Sequence, residues 1–319
     1  MVKYFFMIKE RTLLIVRLVT SHLMIVPVLI GTSLFIKDDS FLLLSISQSV
    51  ILIIFLTGYW EFFGMRFRSV YSVILEVFLI SVFAWRITSK HQEAGDPYLI
   101  ALLGLVQAYL LFELIKIFIV IFKQDKNKID ISFPFKQGSY LVTDGGNSRI
   151  SRLMSYHYYS AVHRKNKTNN SMLYATDIVR FDNNGKRFLP LLNEDYSIFG
   201  EKVYSPVSGV VVKAENGIDD NIPYSGGYPY NSGNTIVIRK DNLYMLLGHL
   251  KKGSIRVELN QLVSENEYVA DAGNSGYSER SHIHMQLIDS NTDNYWKGRG
   301  VSIRFGNKNL YKNRIIEIK

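Results

Sequence analysis

The chain has 319 residues, 47% of them hydrophobic, with no cysteine and a formal net charge of +9 at pH 7. The lack of cysteine excludes disulfides and thiolate ligands, so any metal site must use nitrogen and oxygen donors. Most of the positive excess lies after residue 122, where it favours anionic head groups or polymers, and no nucleic-acid-binding motif accompanies it.

Residues 1–122 read as a membrane region. Residues 18–36 and 41–60 contain no Asp, Glu, Lys or Arg, residues 69–85 are apolar apart from Glu76, and residues 98–122 apart from Glu113 and Lys116. Runs of about 17 to 25 apolar residues suit helices that cross a lipid bilayer, so about four spans are expected. Arg17 and His22 intrude on the start of the first span and make it the weakest. A signal peptide would not continue into three further apolar segments. A soluble bundle would show polar faces at the helical period, and these are missing. Glu113 and Lys116, three residues apart, can pair on one helix face, and a structural pair is favoured over a transport role.

Four spans put the N-terminus and everything after residue 122 on one side of the membrane. That side carries Lys3, Lys9, Arg11, Arg66, Arg68, Lys123, Lys126 and Lys128, against Lys37, Arg86 and Lys90 on the other. The positive-inside rule makes it cytoplasmic.

Residues 123–138 read as a linker, polar at its start, and residues 139–319 as an all-β domain in which short strand-like runs alternate with Gly, Asn and Asp turns. The densest histidine pair is His282-Ile283-His284. On a strand, the period of two puts both imidazoles on one face and turns Ile283 and Met285 into a core. Two histidines sharing a face suggest zinc, and a catalytic zinc typically takes three protein ligands and leaves a fourth position to water. Further ligands must come from elsewhere, and the remaining histidines of this region are His157, His163 and His249. His249 ends the apolar run Leu243-Tyr244-Met245-Leu246-Leu247-Gly248-His249-Leu250. Asp177 interrupts the hydrophobic pattern of Tyr174-Ala175-Thr176-Asp177-Ile178-Val179, where a buried carboxylate needs a partner such as a metal. Taken singly, each of these residues is more often structural: a core histidine, an ion-pair aspartate. Residues 219–234, with Pro223, Gly226, Gly227, Pro229 and Gly233, read as a long loop that either walls a peptide groove or is plain solvated surface.

The blocks together resemble the lysostaphin-type zinc endopeptidases, the LytM domain. Gly145-Gly146-Asn147, Ser155-Tyr156-His157-Tyr158, Tyr174-Ala175-Thr176-Asp177-Ile178, Phe199-Gly200-Glu201-Lys202-Val203, Ser232-Gly233-Asn234-Thr235-Ile236, Gly248-His249-Leu250, Gly273-Asn274-Ser275-Gly276 and His282-Ile283-His284 stand in that family's order over residues 145–287. The resemblance implies a mainly antiparallel, all-β peptidase domain. It also implies Zn2+ held by His157, Asp177 and His284, with His249 and His282 in catalysis. Three departures matter. His157 and Asp177 are twenty positions apart where many members have only a few, with residues 166–171 reading as a polar insertion. His163 therefore competes with His157 as first ligand, and the Tyr-His-Tyr context favours His157. Ser281 replaces the proline that usually precedes the histidine pair, and residues 260–266 replace a Gly-Asp-x-Val-x-x-Gly turn.

The function so implied is a zinc metalloendopeptidase, anchored in a bacterial cell membrane, that cuts peptide bonds in peptidoglycan stems or cross-bridges. Its peptidase domain is then extracytoplasmic, against the charge bias. Two alternatives are a catalytically silent scaffold that activates another wall hydrolase, and a processing peptidase for a secreted or modified peptide. Retention of all five positions argues against the scaffold.

Overall fold

The computed structural model describes residues 2–35, 40–89, 96–123, 128–159, 168–181, 189–229 and 231–319. They divide into a helical unit, Thr12–Ile119, and a second unit of Met1–Arg11 with Val120–Lys319.

In the helices, α1 (Val2–Leu18) runs through a π-helical turn (Val19–Met24) into α2 (Ile25–Phe35). Then follow α3 (Ser40–Thr57), the short α4 (Trp60–Phe63), α5 (Met65–Thr88) and α6 (Pro97–Phe122). Ile8–Leu34, Arg66–Thr88 and Pro97–Phe122 are long and apolar enough to cross a membrane, and Phe41–Thr57 is a shorter apolar helix. The expected four spans are thus three long helices and one short one. The first segment, the weakest in sequence, is the longest of them. His22 interrupts it without breaking it because its ring is satisfied: Nε2 accepts from the backbone N–H of Tyr59 at 3.0 Å and Nδ1 meets Ser21 Oγ at 2.7 Å. Val26 and Ile30 of α2, Leu44 and Ile51 of α3, and Leu75, Leu79 and Val82 of α5 form the apolar centre. Two polar pairs lie among these helices. Gln48 donates to Glu76 at 2.9 Å, and Lys116 pairs with Glu113 at 2.7 Å, the pair expected from spacing.

The rest of the described chain is β-rich, with β1 (Ile129–Asp130), β2 (Gly138–Asp144), β3 (Thr176–Arg180), β4 (Lys202–Tyr204), β5 (Gly209–Glu215), β6 (Asn234–Lys240) and β7 (Leu243–Leu250). After these come β8 (Leu262–Val263), β9 (Tyr268–Asp271), β10 (Ile283–Asp289), β11 (Arg299–Val301), β12 (Ile303–Phe305), β13 (Lys308–Asn309) and β14 (Ile315–Ile318). The main sheet has the order β14-β2-β3-β10-β7-β6-β5-β8, with β11 added on β10, and all its pairings are antiparallel. The pair β4-β9 and the triplet β1-β12-β13 lie beside it, and β1-β12 is the parallel exception.

Strand period determines what the central strand does. Ile283, Met285 and Leu287 of β10 enter a core with Tyr140, Val142, Ile178, Ile236, Met245 and Leu247. The alternate residues His284, Gln286 and Ile288 therefore share the opposite face. The two-residue connection Asp241-Asn242, with Asp241 at φ +55°, joins β6 to β7; Asp tolerates this left-handed backbone. The far end of the hairpin is braced by the buried Asn234, which donates to Ile218 O at 2.7 Å and Leu250 O at 3.0 Å and accepts from Ile218 N–H at 2.8 Å. That brace ties Ile218, just before the 219–234 loop, to the end of β7 beside His249; Asn234, the last residue of that loop as read from the sequence, opens β6.

Candidate metal centre and active site

β3 and β10 are neighbours, and their register sets Asp177 directly opposite His284. On the other flank of β10, His284 faces Gly248 of β7, which puts His249 one residue further on. The segment between β2 and β3 supplies His157. Its Nε2 lies 3.2 Å from Asp177 Oδ2, and His284 Nδ1 lies 2.8 Å from Asp177 Oδ1. The three residues offer one ligand atom each, all within 4.8 Å of one another. His163, the rival first ligand, lies outside the described residues.

The electrostatics are those of an anion ringed by imidazoles. Burial pushes Asp177 up, but His157 and His282 outweigh it and hold the carboxyl well below the usual carboxylate range. Burial pulls His157 down, yet the carboxylate of Asp177 wins and raises it. An ionised aspartate and two imidazoles that converge on one point form an O,N,N donor set suited to zinc. Each imidazole also has its outward nitrogen engaged, His157 Nδ1 by Ser155 Oγ at 2.9 Å and His284 Nε2 by Gln286 Oε1 at 3.0 Å. This is the arrangement that orients metal-binding histidines. The residues fit the metal.

The remaining two histidines border the cluster. His249 donates from Nδ1 to the carbonyl of Ser275 at 2.7 Å, and His282 from Nδ1 to the carbonyl of Arg280 at 2.8 Å. Both rings thus leave Nε2 as the free, basic nitrogen. Their centroids are 4.7 Å apart, and His282 Nε2 lies 3.6 Å from Asp177 Oδ2. Burial pulls His249 well below the ordinary imidazole pKa and lowers His282 in the same direction. Both are neutral near pH 7 and able to take a proton.

Residues 195–295 match the model for Peptidase family M23. The chain carries an M23 peptidase domain. The matched residues include His249, His282 and His284 but not His157 or Asp177. A curated relative, the peptidoglycan DD-endopeptidase ShyA of Vibrio cholerae, is 33% identical over 104 residues, which is 32% of this chain and 21% of the relative. The matched stretch thus spans about a fifth of that protein's length. Among solved structures, the catalytic domain of lysostaphin from Staphylococcus simulans shares 19% identity with a TM-score of 0.28, over 40% of this chain and 75% of that one. A zinc-containing peptidase from Vibrio cholerae shares 18% identity with a TM-score of 0.33, over 54% of this chain and 39% of that one.

His157, Asp177, His249, His282 and His284 lie together, the first two contributed from outside the matched residues. Several of their supports were not singled out. Ser275 and Arg280 act through backbone carbonyls, which any residue could supply, so side-chain chemistry gives no signal for them. The loop before His282 is held by a polar network: Asn274 donates to Asn193 Oδ1 at 2.9 Å, Ser278 to Asn274 Oδ1 at 2.6 Å, and Ser281 to Asn193 Oδ1 at 3.2 Å. Ser281 thus uses the hydroxyl that a proline in its place would lack. Gly276, at φ +77°, passes so close to the backbone of Gly233 that a side chain at either would collide. That close passage brings the Ser275 carbonyl to His249. Gln286 did leave a signal, being the polar residue besides His284 in the otherwise apolar run of residues 283–288.

Proposed function

We propose that this chain is a membrane-anchored zinc metalloendopeptidase that hydrolyses peptide bonds in the stems or cross-bridges of peptidoglycan. The observation that carries the reading is the meeting of His157, Asp177 and His284 within 4.8 Å, bordered by two buried, neutral imidazoles. The M23 match and the peptidoglycan endopeptidase among its relatives support it. Zinc held by the three residues supplies a Lewis acid for the scissile carbonyl and lowers the pKa of a bound water. His249, its Nδ1 committed to Ser275 O, turns a basic Nε2 to the site and takes a proton from the attacking nucleophile. Either His249 or His282, once protonated at Nε2, can donate to the charge developing on the scissile carbonyl oxygen or to the departing amine.

Purified full-length protein is expected to cut muropeptides of defined cross-bridge, the products together gaining one water in mass, and a chelator is expected to stop the reaction. Zinc-loaded protein that leaves every such muropeptide whole would favour the silent scaffold instead.

The peptidase domain faces outward in this reading. If α3 crosses, an even number of spans returns the domain to the basic, cytoplasmic side. Its 18 residues extend about 27 Å, short of the ~30 Å of a typical hydrocarbon core. With α3 packed among the helices but not crossing, the count is odd. Lys3, Lys9, Arg11, Arg86 and Lys90 then stand against Lys37, Arg66, Arg68, Lys123, Lys126 and Lys128, and the charge bias that opposed an outer domain is gone. Protease added to intact spheroplasts is expected to release or digest residues 139–319. Protection until the membrane is breached would favour a cytosolic processing peptidase.

A further inference from the structure

Gln286 is buried, 1% exposed, and shares a strand face with His284. Its register partner on β7 is Leu246, and Leu246 packs with Val237, Tyr244 and Ile288 in an apolar cluster. An amide beside such a cluster is unfavourable unless hydrogen-bonded. Its Nε2 finds no acceptor among the described residues. The contact that offsets this is made by its Oε1, 3.0 Å from His284 Nε2.

The two nitrogens of His284 have different tasks. Nδ1 points at Asp177 and into the cluster, so a cation can be held there only if the imidazole proton sits on Nε2. A proton on Nδ1 would block the site. We propose that Gln286 is a positioning residue: by accepting the Nε2–H of His284 it selects the tautomer whose Nδ1 lone pair faces the metal, and it fixes the angle of the ring. This rests on the reading of His157, Asp177 and His284 as a zinc site. It separates the requirements at 286 from packing, since packing alone would select an apolar residue and the tautomer selects an acceptor.

The test is zinc affinity of the full chain in detergent, titrated against a chromophoric chelator, so that no turnover is needed. Gln286→Met keeps the volume and removes the acceptor; it is expected to weaken zinc binding by ~10- to 100-fold. Gln286→Glu places a carboxylate, which only accepts, against Nε2–H, and is expected to bind zinc as tightly as the native protein or more so. With the metal chelated, Gln286→Met should unfold at the same temperature as the native protein or higher, because an amide donor without a partner has gone. Native-like zinc affinity in Gln286→Met overturns the proposal. So does a Gln286→Glu variant as weak as Gln286→Met. Should Gln286→Met not fold, Gln286→Glu decides alone, and zinc binding weaker than native in that variant sinks the idea. A native protein that binds no zinc overturns the metal reading itself, and this inference with it, which distinguishes the two failures.

Discussion

His284→Ala is expected to leave the protein without zinc and without hydrolytic activity. The residue sits on the central strand of the sheet between Asp177 and Gly248, 4% exposed, with Nδ1 2.8 Å from the Asp177 carboxylate. Its loss leaves two protein ligands where a catalytic zinc typically has three. It also removes the imidazole that Gln286 holds in place. The drop in affinity should exceed the ~10- to 100-fold that outer-shell partners command. Metal analysis of the dialysed protein, alongside muropeptide digestion, reads both losses, and circular dichroism checks that the fold persists. Full metal content in His284→Ala would sink the ligand assignment. His163→Ala is the companion experiment, since His157 already reaches Asp177 at 3.2 Å. It should retain native zinc, and loss of metal there would transfer the first ligand position to His163.

How much could be read from the residues follows from where each effect is encoded. In β10, one strand alternates between a core and a polar face, so Ile-His-Met-Gln-Leu-Ile displays its own geometry, and the sharing of a face by His282 and His284 followed from period two alone. Asp177 was legible for a related reason: a carboxylate inside an apolar strand is costly and has few explanations. The start of the first long apolar helix was not legible. Apolarity marks what lipid tolerates rather than where a helix begins, and α1 extends from Val2 across Lys9, Glu10, Arg11 and Arg17 before the uncharged run. Nor does the residue His249 announce its backbone at φ +58°, a left-handed conformation that β-strand patterning gives no reason to expect. The backbone carbonyls of Ser275 and Arg280, which orient the two bordering histidines, come from the path of the loops and not from side-chain identity. The division of labour among the five residues came from resemblance; the distances fit it, but residue types alone could not have supplied it.

Replacing His249 or His282 by Ala should leave zinc bound and lower turnover by about 10² to 10⁴, the usual worth of a positioned acid or base. The separation from the first prediction is geometric. Neither residue is needed to complete the cluster of His157, Asp177 and His284, and each is tied by Nδ1 to a loop carbonyl while its Nε2 remains for chemistry. An unchanged rate in either variant would make that histidine structural. The pH dependence gives a sharper check. A general base works deprotonated, and burial holds His249 well below the ordinary imidazole value of about 6.5. As pH falls through 6.5 the ring therefore stays neutral, and the rate declines only when the pH reaches the depressed pKa. Zinc bound nearby adds a positive charge that disfavours the imidazolium, so its effect has the same sign. The acid limb of kcat/KM should lie below 6.5, and a limb at or above that value would mean that the base is a solvated group outside this buried pair.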